Sequence, residues 1–337
     1  MAEPLPCHVR PARSVGEVQV LWQGMTRALG WNRLPEDAAT HTHTSGLGSW
    51  LMAVPTRTPS GDPYDDGDPQ GCIAAFRDSA GTTGWLGFFV VKEPYRGHGL
   101  GRALFKAALD SLQADTGICY IGLDAVPEQR GTYGRRGFVE TNLIAVFSRS
   151  NARDVPPPPA LGGLNDNEHE EEVTDIRILD AKALVESEAA HCGLRRPRLW
   201  TQEALFHRPD VSGLAVVAKN NNNNSREDEE DIIIKGWILV RRCDEGYRIG
   251  PLYAERKDLA DYLLHAAMSN LVEDKDVSLS AETWHSNERA GETFEGLGWK
   301  RVATYHRMWH DGRIPPVQVP GGKAERDMYA IFDAVQG

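Results

Sequence analysis

The chain predicts a mixed α/β fold, an α+β arrangement on a mixed sheet, present twice in tandem. Three observations carry this. Residues 84–91 are apolar throughout, as a central strand covered on both faces must be. A glycine-rich turn then opens a helix whose apolar positions Leu100, Ala103, Leu104, Ala107, Ala108 and Leu112 form one stripe at 3.6-residue spacing, and another strand follows. Strand, turn, helix and strand make a parallel crossover. The second half repeats the order of elements in the first, the mark of a duplicated domain. A length of 337 residues suits two domains, and an apolar fraction of 41% suffices for two cores.

The first half begins with a short strand at residues 8–10. A helix follows from about residue 17, with Val18, Leu21, Trp22, Met25 and Leu29 at helical spacing. Strands at 50–54 and 71–76 flank a loop, 55–70, rich in Pro, Gly and Asp. Then come the central strand 84–91 and the helix 100–112, with Arg102, Lys106 and Asp110 on its polar face. Strand 118–123, a short helix near Gln129 and strand 142–148 complete the unit. Four prolines, Pro156 to Pro159, and an acidic run at 168–172 mark a linker.

The second half reads as strand 175–179, a helix through Ala189, strands 213–219 and 232–241, strand 247–253, helix 258–271, strand 277–281, helix 287–295 and strand 301–309. An Asn-rich, acid-tailed insertion after residue 219 is expected to be disordered. The expected division is 1–149 and 174–312 for the two domains, 150–173 for the linker and 313–337 for a tail.

A net charge of −11 argues against nucleic acid as a partner, because phosphate neutralisation requires a basic face. Residues 1–10 lack the apolar stretch of a signal peptide, and the most apolar segment, 232–240, is broken by Lys235 and too short to span a membrane. Five cysteines with no CxxC pair suit a reducing compartment, cytoplasm or nucleus, and offer neither a disulfide framework nor a zinc site. His41 and His43 have the spacing of metal ligands but no acidic or cysteine partner nearby; they read as a polar loop, and no metal is expected.

The chemistry concentrates in Val91-Lys92-Glu93-Pro94-Tyr95-Arg96-Gly97-His98-Gly99-Leu100-Gly101-Arg102. Pro94 ends the strand, and alternating glycines let the backbone turn sharply and approach a ligand. The amides then converge where a helix begins, a place that favours an anion. Arg96, His98 and Arg102 add positive charge. The segment therefore reads as a phosphate or pyrophosphate cradle. It lacks the Gly-Lys-Ser/Thr ending of a Walker loop and the GxGxxG spacing of a dinucleotide fingerprint.

The segment resembles the R-G-x-G-x-G loop of the GNAT superfamily of N-acetyltransferases. Tyr133-Gly134-Arg135-Arg136-Gly137-Phe138, downstream, resembles that family's Y-x-x-x-G-F signature. The resemblance spans nearly the whole chain and is strongest over 84–140. Gly122-Leu123-Asp124-Ala125-Val126 and Gly30-Trp31-Asn32 are similar to a two-domain branch; Val126 and Gln129 stand where the commoner pattern has Asn and Ala.

The resemblance implies acetyl-CoA as cosubstrate, with its pyrophosphate on Arg96, Gly97, His98, Gly99, Leu100, Gly101 and Arg102. Its pantetheine arm would pair with Phe89, Val90 and Val91, and the Val91 amide would polarise the thioester. It implies direct attack by a primary amine of a small molecule, with Tyr133 protonating the departing thiolate. Asp124 and Glu93 are the carboxylates placed to serve as general base. A non-catalytic acyl-CoA sensor is the alternative. In the second half Asn287, Ala290, Gly298 and Trp299 keep the pattern, but Phe294 stands where Tyr133 would, and residues 254–258 hold no glycine. That half is expected to be degenerate, completing the cleft or acting as a built-in dimer partner.

Overall fold

A computed structural model describes residues 3–64, 67–79, 81–159, 161, 171–219, 232–271 and 276–337. The Asn-rich insertion and part of the expected linker lie outside the described residues. The elements of the first half are β1 (Cys7–Pro11), α1 (Val15–Ala28), α2 (Pro35–Ser45), β2 (Trp50–Pro55), β3 (Gly71–Arg77), β4 (Thr83–Val91), α3 (Leu100–Gln113), β5 (Tyr120–Ala125), α4 (Arg130–Gly134) and β6 (Phe138–Arg149). Those of the second are β7 (Glu171–Asp175), α5 (Ala181–Cys192), β8 (Val211–Lys219), β9 (Ile232–Cys243), β10 (Gly246–Ala254), α6 (Lys257–Ser269), β11 (Leu279–Trp284), α7 (Glu288–Gly296), β12 (Lys300–His310), α8 (Lys323–Asp327) and β13 (Met328–Ala330). Among the described residues no helix is long and apolar enough to cross a membrane.

One sheet runs through both halves in the order β1-β2-β3-β4-β5-β12-β6-β11-β10-β9-β8-β7, with β13 alongside β10. The halves exchange strands. β12 of the second half lies against β5 of the first (Asp124↔Arg307, Leu123↔Met308), and β6 of the first lies against β11 of the second (Ala281↔Phe147). β6 and β12 pair with each other over most of their length. Each unit thus takes its last strand from the other.

Helices cover both faces. In the first half α1 and α2 lie over Trp50, Trp85, Phe88 and Trp309, with the Trp22 and Phe88 rings stacked 4.4 Å apart. On the opposite face α3 and α4 bury Leu104, Phe105 and Tyr133 against Leu86, Leu123 and Met308. α1 starts where the Ser14 hydroxyl accepts the Glu17 amide at 3.1 Å.

Three expectations are corrected. The segment holding His41 and His43 is helix α2, not a loop. Pro35 opens it, the Asp37 carboxylate accepts the Leu34 amide (3.2 Å), and the hydroxyls of Thr42, Thr44 and Ser45 bond carbonyls four residues back. His41 is fully buried. The strand expected at 175–179 is β7, four residues earlier, because the Asp175 side chain accepts the Arg177 amide (2.8 Å) and turns the chain. The expected tail is folded: β13 joins the sheet, and Tyr329, Ile331 and Phe332 are buried. Its apolar run supplies core to the second half.

Candidate active site

β4 and β5 pair only at Thr83↔Tyr120, Gly84↔Ile121 and Trp85↔Gly122, then diverge. The divergence coincides with a bulge on β4. Against β3, Val90 pairs with Cys72 and Gly87 with Ala74, so Phe88 and Phe89 together face one residue. Phe88 takes the left-handed φ of 43° that this requires. The bulge resets the alternation. Phe88 and Val90 face α1, while Phe89 and Val91 face α3. The Lys92 amide donates back to the carbonyl of Gln70, just ahead of β3 (2.9 Å), so strand alternation turns the amide and carbonyl of Val91 toward the gap.

Beyond β4 a short turn, Glu93–Tyr95, buries Tyr95 and leaves Glu93 exposed. Arg96 Nε donates to the Val91 carbonyl at 2.9 Å. Gly97 (φ 83°) and Gly99 (φ 90°) then use the left-handed region to bring the chain into α3. Among the described residues, none of the six successive amides from Gly97 to Arg102 donates a hydrogen bond, whereas the next, Ala103, reaches the Gly99 carbonyl at 3.1 Å. A Cβ on Gly97 would meet nothing within 4 Å, and Gly101 packs against the Phe89 ring. The loop is also held by Leu5, whose amide donates to the His98 carbonyl (2.9 Å), and by His98 Nδ1 on the Glu3 carbonyl (3.0 Å). Arg96 and Arg102 are exposed beside the free amides. Unsatisfied donors at a helix start, with cations and open space, fit a diphosphate.

Tyr133 lies on α4 at the floor of this face, its ring 5.7 Å from that of Phe105, 6.4 Å from Phe138 and 6.5 Å from Phe89. It is 9% exposed, and its hydroxyl bonds no described residue. Burial pushes the hydroxyl up to about 12, with Arg136 opposing. The phenol therefore stays protonated at neutral pH.

Asp124 is held elsewhere. Arg307 of β12 grips it with both arms, Nε to Oδ1 at 2.9 Å and Nη2 to Oδ2 at 2.7 Å, and neither side chain is exposed. The guanidinium is sandwiched between Trp85 and Trp284, 4.8 and 4.9 Å from the ring centres. Burial raises the Asp124 carboxyl above its ordinary value, and Arg307 pulls the other way. A carboxylate whose two oxygens both accept from one guanidinium has structural work to do and is a poor base. Arg307 is a residue that sequence reasoning missed; the cross-strand register that pairs it with Asp124 is set by the strand exchange.

The equivalent place in the second half is closed. β10 and β11 pair from Tyr247↔Leu279 to Ile249↔Ala281 and diverge in the same way. β13 fills the gap: Leu252 pairs with Ala330 and Tyr253 with Met328, and the Ile331 amide donates to the Glu282 carbonyl of β11 (2.8 Å). At the start of α6 the Arg256 guanidinium binds Glu171 (2.8 and 3.1 Å) and Asp258 (2.9 and 3.1 Å). Phe294 is buried against Phe147 and Trp299.

The halves meet on charged groups. Asn32 exchanges two hydrogen bonds with the Glu245 backbone (2.8 and 3.1 Å), and Arg33 binds Glu282 (3.1 Å) and Asp333 (3.0 Å). Burial pushes the Asp37 carboxyl up, but Arg241 and Arg208 outweigh it and hold it below the usual carboxylate range. His41 sits in this seam, its Nδ1 3.1 Å from Gln336 Oε1.

The family model described as Acetyltransferase (GNAT) family matches residues 32–138, and that described as Acetyltransferase (GNAT) domain matches 214–319. The holothin acyltransferase of a Pseudoalteromonas species is 23% identical over 232 residues, covering 68% of this chain and 67% of the relative. A Pyrococcus horikoshii structure described as an acetyltransferase candidate superposes with a TM-score of 0.67 at 18% identity, over 98% of this chain and 96% of that one. A tandem GNAT protein from the clavulanic acid biosynthesis pathway does so with a TM-score of 0.57 at 12% identity, over 92% and 100%. At such identities the structural likeness is one of fold. The splayed strands, the cradle and both family matches lead to one conclusion: the chain is an acyltransferase of the GNAT family, with two GNAT domains in tandem.

Proposed function

We propose that the protein transfers the acetyl group of acetyl-CoA to a primary amine of a small molecule, in the first half only. The observation that carries this is the set of six free amides between Gly97 and Arg102, opening onto a gap between β4 and β5. Arg96, His98 and Arg102 surround the diphosphate that these amides hold. Acetyl-CoA supplies an activated thioester, and the Val91 amide, turned into the gap, polarises its carbonyl. Tyr133 keeps its proton at neutral pH and gives it to the departing thiolate. With Asp124 bound to Arg307 and Glu93 exposed, the amine proton leaves through water or through the acceptor's own surroundings.

The working unit in this reading is residues 1–149 together with β12. The second half acts as an internal pseudo-dimer partner. Its own slot is filled by β13, and its cradle is blocked by Arg256 and Asp258.

The test is a thiol-release screen with acetyl-CoA and a panel of small amines, on wild type and Tyr133→Phe. Wild type releases thiol with at least one amine. The variant loses roughly 10²- to 10⁴-fold in kcat and binds CoA as before. Absence of thiol release with every amine would leave a CoA-binding sensor as the better reading. Equal turnover of the two proteins would remove Tyr133 from the chemistry.

A further inference from the structure

β5 holds β4 only as far as Trp85, and beyond that point no described strand pairs with the same edge. The bulge at Phe88 therefore sits on a strand supported by β3 alone. A bulky residue keeps a left-handed φ only where its surroundings impose it. What imposes it here lies on the face toward α1. The Trp22 ring stacks on Phe88, and a chain segment beyond β13 lies on the residues just ahead of the bulge.

That segment, residues 333–337, is a turn brought over from the second half. A Cβ on Gly87 would stand 1.8 Å from the Val335 carbonyl oxygen, 2.8 Å from its carbon and 3.2 Å from its Cα. The Val335 peptide is thus seated on the Gly87 α-carbon. The φ of Gly87 is not left-handed, so the glycine serves the close approach of two backbones. Two residues back along β4, the Trp85 indole donates to the Ala334 carbonyl (3.2 Å). The Val335 side chain is buried in one cluster with Trp22, Trp50, Phe88 and Val90.

The turn is itself anchored. The Gln336 and Gly337 amides donate to the Asp333 carbonyl (3.0 and 2.9 Å), and the Val335 amide donates to the Asp333 carboxylate (2.9 Å). The Ala334 amide donates to Glu282 of β11 (2.7 Å), and Arg33 of the first half meets Asp333 at 3.0 Å. The Gln336 carbonyl accepts from Arg196 (3.3 Å). One stretch, residues 328–337, therefore closes the second gap and reaches the strand that borders the first.

We propose that residues 333–337 are a positioning element of the first-half site: seated on Gly87, they hold the bulge that turns the Val91 amide into the gap. The role is exerted through β4, and it gives the first half a need for the second beyond the loan of β12. The effect on turnover rests on the acetyl-transfer reading. The effect on β4 rests on the packing alone.

The test uses the full chain as wild type, Gly87→Ala and Val335→Ala. The methyl group of Gly87→Ala meets the Val335 carbonyl and must push the turn off the strand, while the amides from Gly97 to Arg102 keep their surroundings. Val335→Ala only trims the side chain that packs beside Phe88, and it carries both measurements if Gly87→Ala does not fold. Amide hydrogen exchange over residues 86–92 should quicken by about tenfold or more in Gly87→Ala, with exchange in α6 unchanged. With an amine that wild type acetylates, kcat should fall by about tenfold to a hundredfold. CoA affinity and the KM for the amine should stay as in wild type. Val335→Ala should move exchange and kcat in the same direction by less. The inference is overturned if exchange over 86–92 is unchanged, if Gly87→Ala turns over as fast as wild type or faster, or if CoA affinity falls in step with kcat. A wild type that releases no thiol with any amine would refute the acetyl-transfer reading, and the exchange result would still decide whether the turn holds the bulge.

Discussion

Asp124 of β5 and Arg307 of β12 stand opposite each other across the strand exchange, 183 residues apart in sequence, as a bidentate pair sealed between two tryptophans. The pair ties the second half to β5, the strand that borders the gap beside β4. It also engages both oxygens of a carboxylate that the sequence offered as a base.

Removing one partner should be far worse than removing both. Arg307→Ala leaves a buried carboxylate uncompensated and should cost about 3–5 kcal/mol in urea unfolding. Asp124→Leu with Arg307→Met removes both charges and should recover most of that loss. If the double variant is as unstable as the single one, the pair is not what the site depends on.

The cradle should respond to charge without a response of the fold. Gly97 has open space around it, so Gly97→Asp can be accommodated, at a modest cost for its left-handed φ. If the proposed diphosphate lies on the neighbouring amides, the new carboxylate repels it, and CoA affinity should fall by about tenfold or more. Isothermal calorimetry beside a melting curve separates the two effects. Unchanged affinity would place the diphosphate elsewhere.

Because β13 occupies the second gap, each chain should bind one CoA. A calorimetric stoichiometry of two at saturation would show that β13 yields its place.

His41 should set an acid limit to stability. Burial lowers it to about 4, with Asp333 and Asp37 opposing this and Arg241 adding to it. The unfolded chain takes up the proton near pH 6.5 and the folded chain only near 4, so the stabilisation is complete above pH 6.5 and lost as pH falls toward 4. His41 alone accounts for about 3 kcal/mol over that window. His191, lowered by burial to about 2, loses stability in the same direction. In His41→Gln the slope of unfolding free energy against pH between 6.5 and 4.5 should fall by about half. An unchanged slope would mean that His41 is already charged or already exposed.

Short-range features were legible in the sequence. The cradle needs only a strand end, glycines at left-handed positions and a helix start, all within residues 91–102. Most of that geometry is local to those twelve residues, although Glu3, Leu5 and Gln70 also hold them. The same holds for the stripe of α3, for Tyr133 at its place in α4, and for the absence of glycine before α6. His41 was misread because its helix is held by proline and hydroxyl back-bonds rather than by an apolar stripe.

What only the tertiary structure decided is which strands are neighbours. Alternation along a strand reports which face is buried and says nothing of the strand beside it. The exchange of β6 and β12, the partnership of Asp124 with Arg307 and the closing of the second gap by β13 are contacts between residues far apart in the chain. Each depends on backbone hydrogen bonds that any sequence can make, and the choice among them is settled only when both cores pack at once.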